Sequence, residues 1–246
     1  MKFVIDNIEQ FKVYFDVVYE VTDIIELQLF PEKMVCSTLD KSKTRFFNVE
    51  YKKEFFSVYE NDGVASVTIF VDDLFKVLKS ANKTDTLIVD INDTHLICKL
   101  ESKNGNFRIF EFVLPSDYAD TPHPPHLDTP ATVDVDINDI KQSINDLTII
   151  GTDLYCFNIK NGSMNIISGT TSAGNYTSVV DVDVDESVSA SSMFSLEYIK
   201  QLMKFDKISK IVKLQIGSDY PLGYRFEDEI MGVTVFGMVA PRMSEE

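Results

Sequence analysis

Lys76 and Lys79 stand three residues apart, Lys200 and Lys204 stand four apart, and Lys12 and Lys141 occur singly in segments of the same pattern. Residues at these spacings share one face of a helix. Exposed ammonium groups act as point charges, so the chemistry such faces offer is attraction of an anion. Lysines opposite an apolar stripe are also what any solvated helix shows. Their recurrence on four segments is what favours a basic surface. Other reactive residues offer less. Asp181, Asp183 and Asp185 alternate in "SVVDVDVDE". Period-two spacing places them on one strand face about 7 Å apart, too far to share one ion without bending, so a solvated outer face is expected. His123 and His126 form an HxxH inside a proline-rich stretch that cannot present two ring nitrogens at helical spacing. Cys36, Cys98 and Cys156 are odd in number and widely spaced in strand-like patterns, which reads as reduced core thiols. There is no GxSxG, no P-loop, no GxGxxG after a strand and no HExxH. The expectation is a non-enzyme with no metal and no cofactor.

The chain carries 39 Asp and Glu against 23 Lys and Arg, a net charge of −16. It should repel nucleic acid unless its cations are segregated from its anions. The acids gather in strand-like and loop segments, at Asp117, Asp120, Asp134, Asp136, Glu245 and Glu246 as well as 181–185, while the six lysines fall on helical faces. Hydrophobic residues make up 44%, ordinary for a soluble globular protein. No apolar run approaches the roughly 20 residues needed to span a bilayer. The start "MKFVIDNIEQF" has acids where a signal peptide has its apolar stretch, so an intracellular protein with no membrane partner is expected.

Four helices must position those lysines. Ile8, Phe11, Phe15 and Val18 line one face of the first; Val71, Leu74, Leu78 and Ala81 line the second; Ile137, Ile140, Ile144 and Leu147 line the third; Leu196, Ile199 and Met203 line the fourth. Asp72 and Asp73 open the second and Asp139 opens the third, where a carboxylate meets the positive end of the helix dipole. Most of the remainder alternates or runs apolar between turn residues and reads as strand, from "IIELQLF" to "VTVFGMVA". The class is α+β, with a sheet covered by a helix pair in each half. The halves repeat. "FVDDLFKVLKSAN…TLIVDIND…FRIFEFVLP" is matched in order by "FSLEYIKQLMKFD…KIVKLQIGSD…VTVFGMVAP". Residues 115–131 hold five prolines and no periodicity, which marks an extended connector with one isolated apolar residue, Leu127. The expected domains are 1–115 and 131–246, joined by a loop over 116–130.

The C-terminal "SDYPLGYRFEDEIMGVTVFGMVAPRMSEE" resembles the end of sliding clamps of the proliferating cell nuclear antigen family, with Asp219-Tyr220-Pro221, Met231-Gly232 and Val239-Ala240-Pro241-Arg242 at the matching places. "STLDKSKTRFFNVEY" is similar to that family's S-M-D-x-S-H-V loop, with Leu39 for the methionine and Lys43 for the histidine. "FKVLKSA" is similar to its K-I-L-K-C-A helix, and "PHLDTPATV" to the linker end of archaeal members. The match runs through the whole chain in order. It departs at the proline- and histidine-rich linker, and at Tyr19, Asn145 and Ile149, where the family carries basic residues.

The resemblance implies two topologically similar DNA-clamp domains, with sheets outside and four helices lining a ring interior. Three chains would close the ring around double-stranded DNA, held without sequence preference. Lys12, Lys76, Lys79, Lys141, Lys200 and Lys204 would face phosphate. Residues 107–114 of one chain would pair with 177–184 of the next, through Phe107, Ile109, Phe110 and Phe112 against Thr177, Val179, Val180 and Val182. A pocket under the linker, formed by Leu39, Thr44, Phe46, Leu127, Pro221, Met238, Ala240 and Pro241, would take short peptides from DNA polymerase, flap endonuclease, ligase and clamp loader. Localisation would be cytoplasmic or nuclear according to the host. Two alternatives stay open: a subunit of a heterotrimeric clamp, and an acidic protein-binding scaffold that never encircles DNA.

Overall fold

The computed structural model describes every residue except 62, 118, 120, 124–125, 169–173 and 243–246. The expected acids Asp120, Glu245 and Glu246, and part of the proline-rich connector, lie outside the described residues. The chain runs β1 (Lys2–Ile5), α1 (Ile8–Val18), β2 (Ile24–Phe30), β3 (Lys33–Leu39), β4 (Arg45–Lys52), β5 (Val58–Glu60), β6 (Ala65–Phe70), α2 (Val71–Ser80), β7 (Thr86–Ile91), β8 (His95–Glu101) and β9 (Phe107–Val113). It continues with β10 (Ala131–Asp136), α3 (Ile137–Ile150), β11 (Leu154–Lys160), β12 (Ser163–Ile167), β13 (Thr177–Val180), β14 (Ala190–Ser195), α4 (Leu196–Leu202), β15 (Ile211–Ile216), β16 (Leu222–Asp228) and β17 (Val233–Val239). Each half thus begins with a strand and a helix and later runs strand, helix, strands. The sequence repeat is a repeat of topology.

Two compact units emerge: residues 1–43, 47–123 and 227–235 in the first, and residues 44–46, 124–226 and 236–246 in the second. The connector is therefore divided, its first part grouping with the first unit. There Ala119 N–H donates to Thr68 Oγ1 at 3.1 Å, and the Thr121 hydroxyl donates to Glu26.

In the first unit one sheet has the order β5-β1-β7-β8-β9, and β3-β2-β6 are neighbours in a second. Antiparallel register sets Leu27 opposite Cys36 on one side and Val67 on the other. Burial alternates along β2, β7 and β8, as a sheet with one face inward requires. Helices α1 and α2 pack against each other, and α2 also packs on β6 and β8. Asn7 caps α1, its side chain accepting from Gln10 N–H at 3.2 Å. Helix α1 is buried more widely than its expected stripe: Val13, Tyr14 and Val17 join Ile8, Phe11, Phe15 and Val18 inside. Two buried tyrosine hydroxyls, one on α1 and one on β4, seat it by polar bonds. Tyr14 OH donates to the Cys36 carbonyl at 3.0 Å, and Tyr51 OH to the Phe11 carbonyl at 3.2 Å.

In the second unit the sheets run β13-β12-β11-β14 and β10-β15-β16. Val133 lies opposite Leu214, and Leu214 opposite Tyr224. Helices α3 and α4 pack together, α3 over β10 and α4 over β14 and β11. The Asp136 side chain caps α3 by accepting from Asn138 N–H at 2.8 Å. Helix α4 is shorter than its sequence pattern predicts. It passes into a 3₁₀ turn over Met203–Lys207, and Leu202 is buried in place of Met203. The spacing of the apolar residues explains the change. Leu196, Ile199, Leu202, Phe205 and Ile208 are buried at intervals of three, the 3₁₀ period. Likewise α2 ends at Ser80, leaving Ala81 outside and Val77 inside.

The three cysteines are unpaired and buried in β3, β8 and β11, and burial pushes the Cys98 thiol up to about 12. Among the described residues, no three His, Cys, Asp or Glu side chains gather as metal donors, and no helix is long and apolar enough to cross a membrane.

Candidate nucleic-acid interface

In the first unit the lysines sit where α1 and α2 leave the core. Helix α1 is nearly all buried, and Lys12 lies on its narrow half-buried strip with Glu9 and Asp16. Its ammonium stands 3.8 Å from Asp16, one turn on. On α2, Val71, Leu74, Val77 and Leu78 face inward, which turns Lys76 and Lys79 to solvent. Lys76 is ion-paired with Asp72 one turn back. That hydrogen bond and the Asp72 charge raise the Lys76 pKa, while burial and the neighbouring Asp72 charge raise that of the Asp73 carboxyl. Beside them Tyr19 and Phe75 stack with ring centroids 4.2 Å apart, and Tyr19 is 45% exposed.

In the second unit Lys141 of α3 pairs with Asp206 of the 3₁₀ turn, and Lys210 reaches the same carboxylate at 3.4 Å. Partial burial works against the charged form of Asp206. The Lys141 hydrogen bond and the two lysine charges outweigh it and hold the carboxyl below its usual range. Lys200 of α4 is exposed. Lys204 lies in the 3₁₀ turn, half-buried, so it does not continue the Lys200 face as four-residue helical spacing predicts. Ile149 of α3 is 84% exposed.

The expectation that the acids lie away from the helical lysines needs correction. Asp16 and Asp72 are on the helices themselves, and Asp206 is on the turn that extends α4. Each is paired with one of the six lysines. Lys79 and Lys200 are exposed and make no ion pair among the described residues. One cation escaped sequence reasoning because it lies on no helix. Arg45 of β4 sets its guanidinium 4.6 Å from the Tyr198 ring centroid and donates from Nη1 to Gln201 Oε1 at 2.9 Å, which places it against α4.

The two expected edge strands are both terminal in their sheets, β9 in the five-stranded and β13 in the four-stranded one. Phe107, Ile109 and Val179 are 58%, 59% and 69% exposed, whereas Phe110 and Phe112 are half-buried. Strand β13 stops at Val180, whose side chain is buried, and Val182 lies beyond the strand and is buried too. The alternating 181–185 run is thus not strand. Asp185 folds back to accept from Ser187 N–H at 2.8 Å, which breaks the period-two reading of its carboxylates.

The expected peptide pocket is gathered in part. In the second unit Ala240 N–H donates to the Thr44 carbonyl at 2.7 Å, Phe46 and Met238 are buried, and Leu127, Pro221 and Pro241 are half-buried. Leu127 rests on Gly223, where an added Cβ would lie 2.7 Å from Leu127 Cδ1. Leu39 belongs to the first unit and is 37% exposed. It lines a cavity of about 250 Å³ with Thr22, Ile24, Thr38, Lys43 and the connector's Pro122. Of the expected set, that cavity takes Leu39 alone.

No family model matches the chain. It is 27% identical over 236 residues to a DNA polymerase sliding clamp of Methanothermobacter thermautotrophicus, covering 94% of this chain and 93% of that protein. It is 25% identical over 252 residues to DNA polymerase sliding clamp 3 of Sulfurisphaera tokodaii, covering 98% and 99%. Among solved structures, Archaeoglobus fulgidus PCNA bound to the C-terminal region of FEN-1 superposes with a TM-score of 0.85 at 20% identity, over 100% of this chain and 99% of that one. A PCNA2–PCNA3 complex from Sulfolobus tokodaii gives 0.83 at 21%, over 98% and 99%. The chain is a relative of the DNA polymerase sliding clamps along nearly its whole length, and it has the fold of the archaeal proliferating cell nuclear antigens.

Proposed function

We propose that this chain is a DNA sliding clamp, a non-catalytic intracellular ring that encircles duplex DNA and tethers replication and repair enzymes. What carries the reading is the twofold occurrence of a packed helix pair bearing exposed lysine, Lys79 in one unit and Lys200 in the other, in a chain with end-to-end similarity to clamps. Binding through such ammonium groups is sequence-independent and weakens with salt. Affinity need not be high, because a closed ring is held by topology.

Closure would be head-to-tail, β9 of one chain against β13 of the next, an arrangement that ends at three when the rotation closes. The exposed Phe107, Ile109 and Val179 supply its apolar surface. The surface around Leu127, Thr44, Phe46, Pro221, Met238, Ala240 and Pro241 would receive short peptides of DNA polymerase, flap endonuclease, ligase and clamp loader. A FEN-1 tail seated on a solved relative supports that reading. A second reading is a subunit of a mixed ring, favoured by the PCNA2–PCNA3 complex among the neighbours. A chain that stays single alone and gains mass only with a paralogue would select it.

The test is duplex binding by fluorescence anisotropy over a salt series. Lys76→Ala, Lys79→Ala and Lys200→Ala together should weaken binding and flatten the log–log salt slope by about 0.9 for each phosphate no longer neutralised. Unchanged affinity and slope would contradict the assignment of this face to DNA.

A further inference from the structure

We infer that Asp16, Asp72 and Asp206 are positioning residues that hold the duplex grip down, by occupying three of the six helix lysines until phosphate displaces them. The inference rests on the clamp reading and adds to it which residues set the strength of the grip. The geometry is the same three times. Lys12 stands 3.8 Å from Asp16, Lys76 is bonded to Asp72, and Lys141 is bonded to Asp206. Two of the pairs are one helical turn apart on a single helix, so backbone geometry alone keeps each acid within reach of its lysine. The third joins α3 to the 3₁₀ turn after α4, and Lys210 approaches the same carboxylate at 3.4 Å. Lys79 and Lys200 have no such partner among the described residues. The face is thus divided into engaged and open cations.

An ion pair open to water is weak. That is the right size for a competitor: large enough to lower affinity, small enough for a phosphate to displace. Each displaced carboxylate must then take up a counterion, which offsets part of the counterion release that drives phosphate binding. Two or three engaged lysines would therefore lower both the affinity and its salt slope without removing the cations. A ring held by topology gains from this, because a strong hold on phosphate would slow its travel along DNA.

The experiment uses the full chain and a labelled linear duplex, with anisotropy read across a salt series. Asp16→Asn, Asp72→Asn and Asp206→Asn should each tighten binding about two- to fivefold and steepen the salt slope. Three exposed acids on no α-helix, Glu54, Asp93 and Glu229, changed singly to Gln, Asn and Gln, give the same charge change at other sites and should leave binding nearly unaltered. The deciding comparison is Asp72→Asn made in a Lys76→Ala background, where the gain should vanish. An equal gain in both backgrounds would mean that the acid acts through the general field and would overturn the inference. So would no gain from any of the three acids while the lysine variants weaken binding. If the lysine variants themselves leave binding unchanged, the clamp face and this inference both fall. Circular dichroism melts of each variant separate unfolding from a direct change in binding.

Discussion

Tyr224 carries the one buried side-chain polar atom among the described residues that finds no hydrogen-bond partner. Its ring is fully buried beside Phe205 and Phe226, and its hydroxyl lies directly over Gly237, where an added Cβ would come within 2.1 Å of it. An unsatisfied buried hydroxyl costs about 1–3 kcal/mol. Tyr224→Phe should therefore be neutral or should raise the melting temperature, where most truncations in a core lower it. Gly237→Ala should destabilise by about 1–3 kcal/mol or more, since the Tyr224 ring has no room to retreat in a close-packed interior. Thermal unfolding should show no loss for Tyr224→Phe and a clear loss for Gly237→Ala if the packing is as described. The lysines show how far single residues can be read from sequence. Their positions were legible from helical spacing. The partners of Lys12 and Lys76 lie at the same one-turn spacing, but that of Lys141 was not legible, because Asp206 on a turn has no periodic mark that ties it to α3.

At the scale of elements, spacing found all four helices, and alternation marked ten of the seventeen strands described, without singling out β1, β4, β5, β8, β11, β14 and β16. It failed where two periods compete. Leu196 to Ile208 satisfies both a three-residue and a mixed three-and-four spacing, and only packing decides for the 3₁₀ turn that takes Lys204 off the helical face. The run "VDVDVD" alternates from Val180 to Asp185, yet pairing ends at Val180, because a strand also needs a neighbour to bond with. Alternation tests a side chain's face and not the backbone's partner. What survives is the pair of edges. Strands β9 and β13 each bond on one side only, and an edge left unpaired with apolar residues exposed invites another strand. Ile109→Glu places a charge in that exposed patch. It should lower the solution mass toward that of one chain in light scattering over a concentration series, while leaving the far-ultraviolet circular dichroism intact. An unchanged mass would remove β9 from the interface.

Across the whole molecule, an excess of acid and a function on DNA are compatible only if charge is sorted by surface. The net charge of −16 is carried by strands, turns and loops as well as by helix acids, and the helix faces keep Lys79 and Lys200 open. Such a chain has weak attraction for free DNA, so retention must come from enclosure more than from affinity. That is the central claim, and it can be separated from ordinary binding. Labelled chain is incubated with a linear duplex biotinylated at both ends, streptavidin is then added to one half of the sample, and salt is raised until direct binding to phosphate is abolished. Enclosure predicts that the chain stays on the end-blocked duplex and leaves the open one. Release from both at the same rate and the same salt would contradict it.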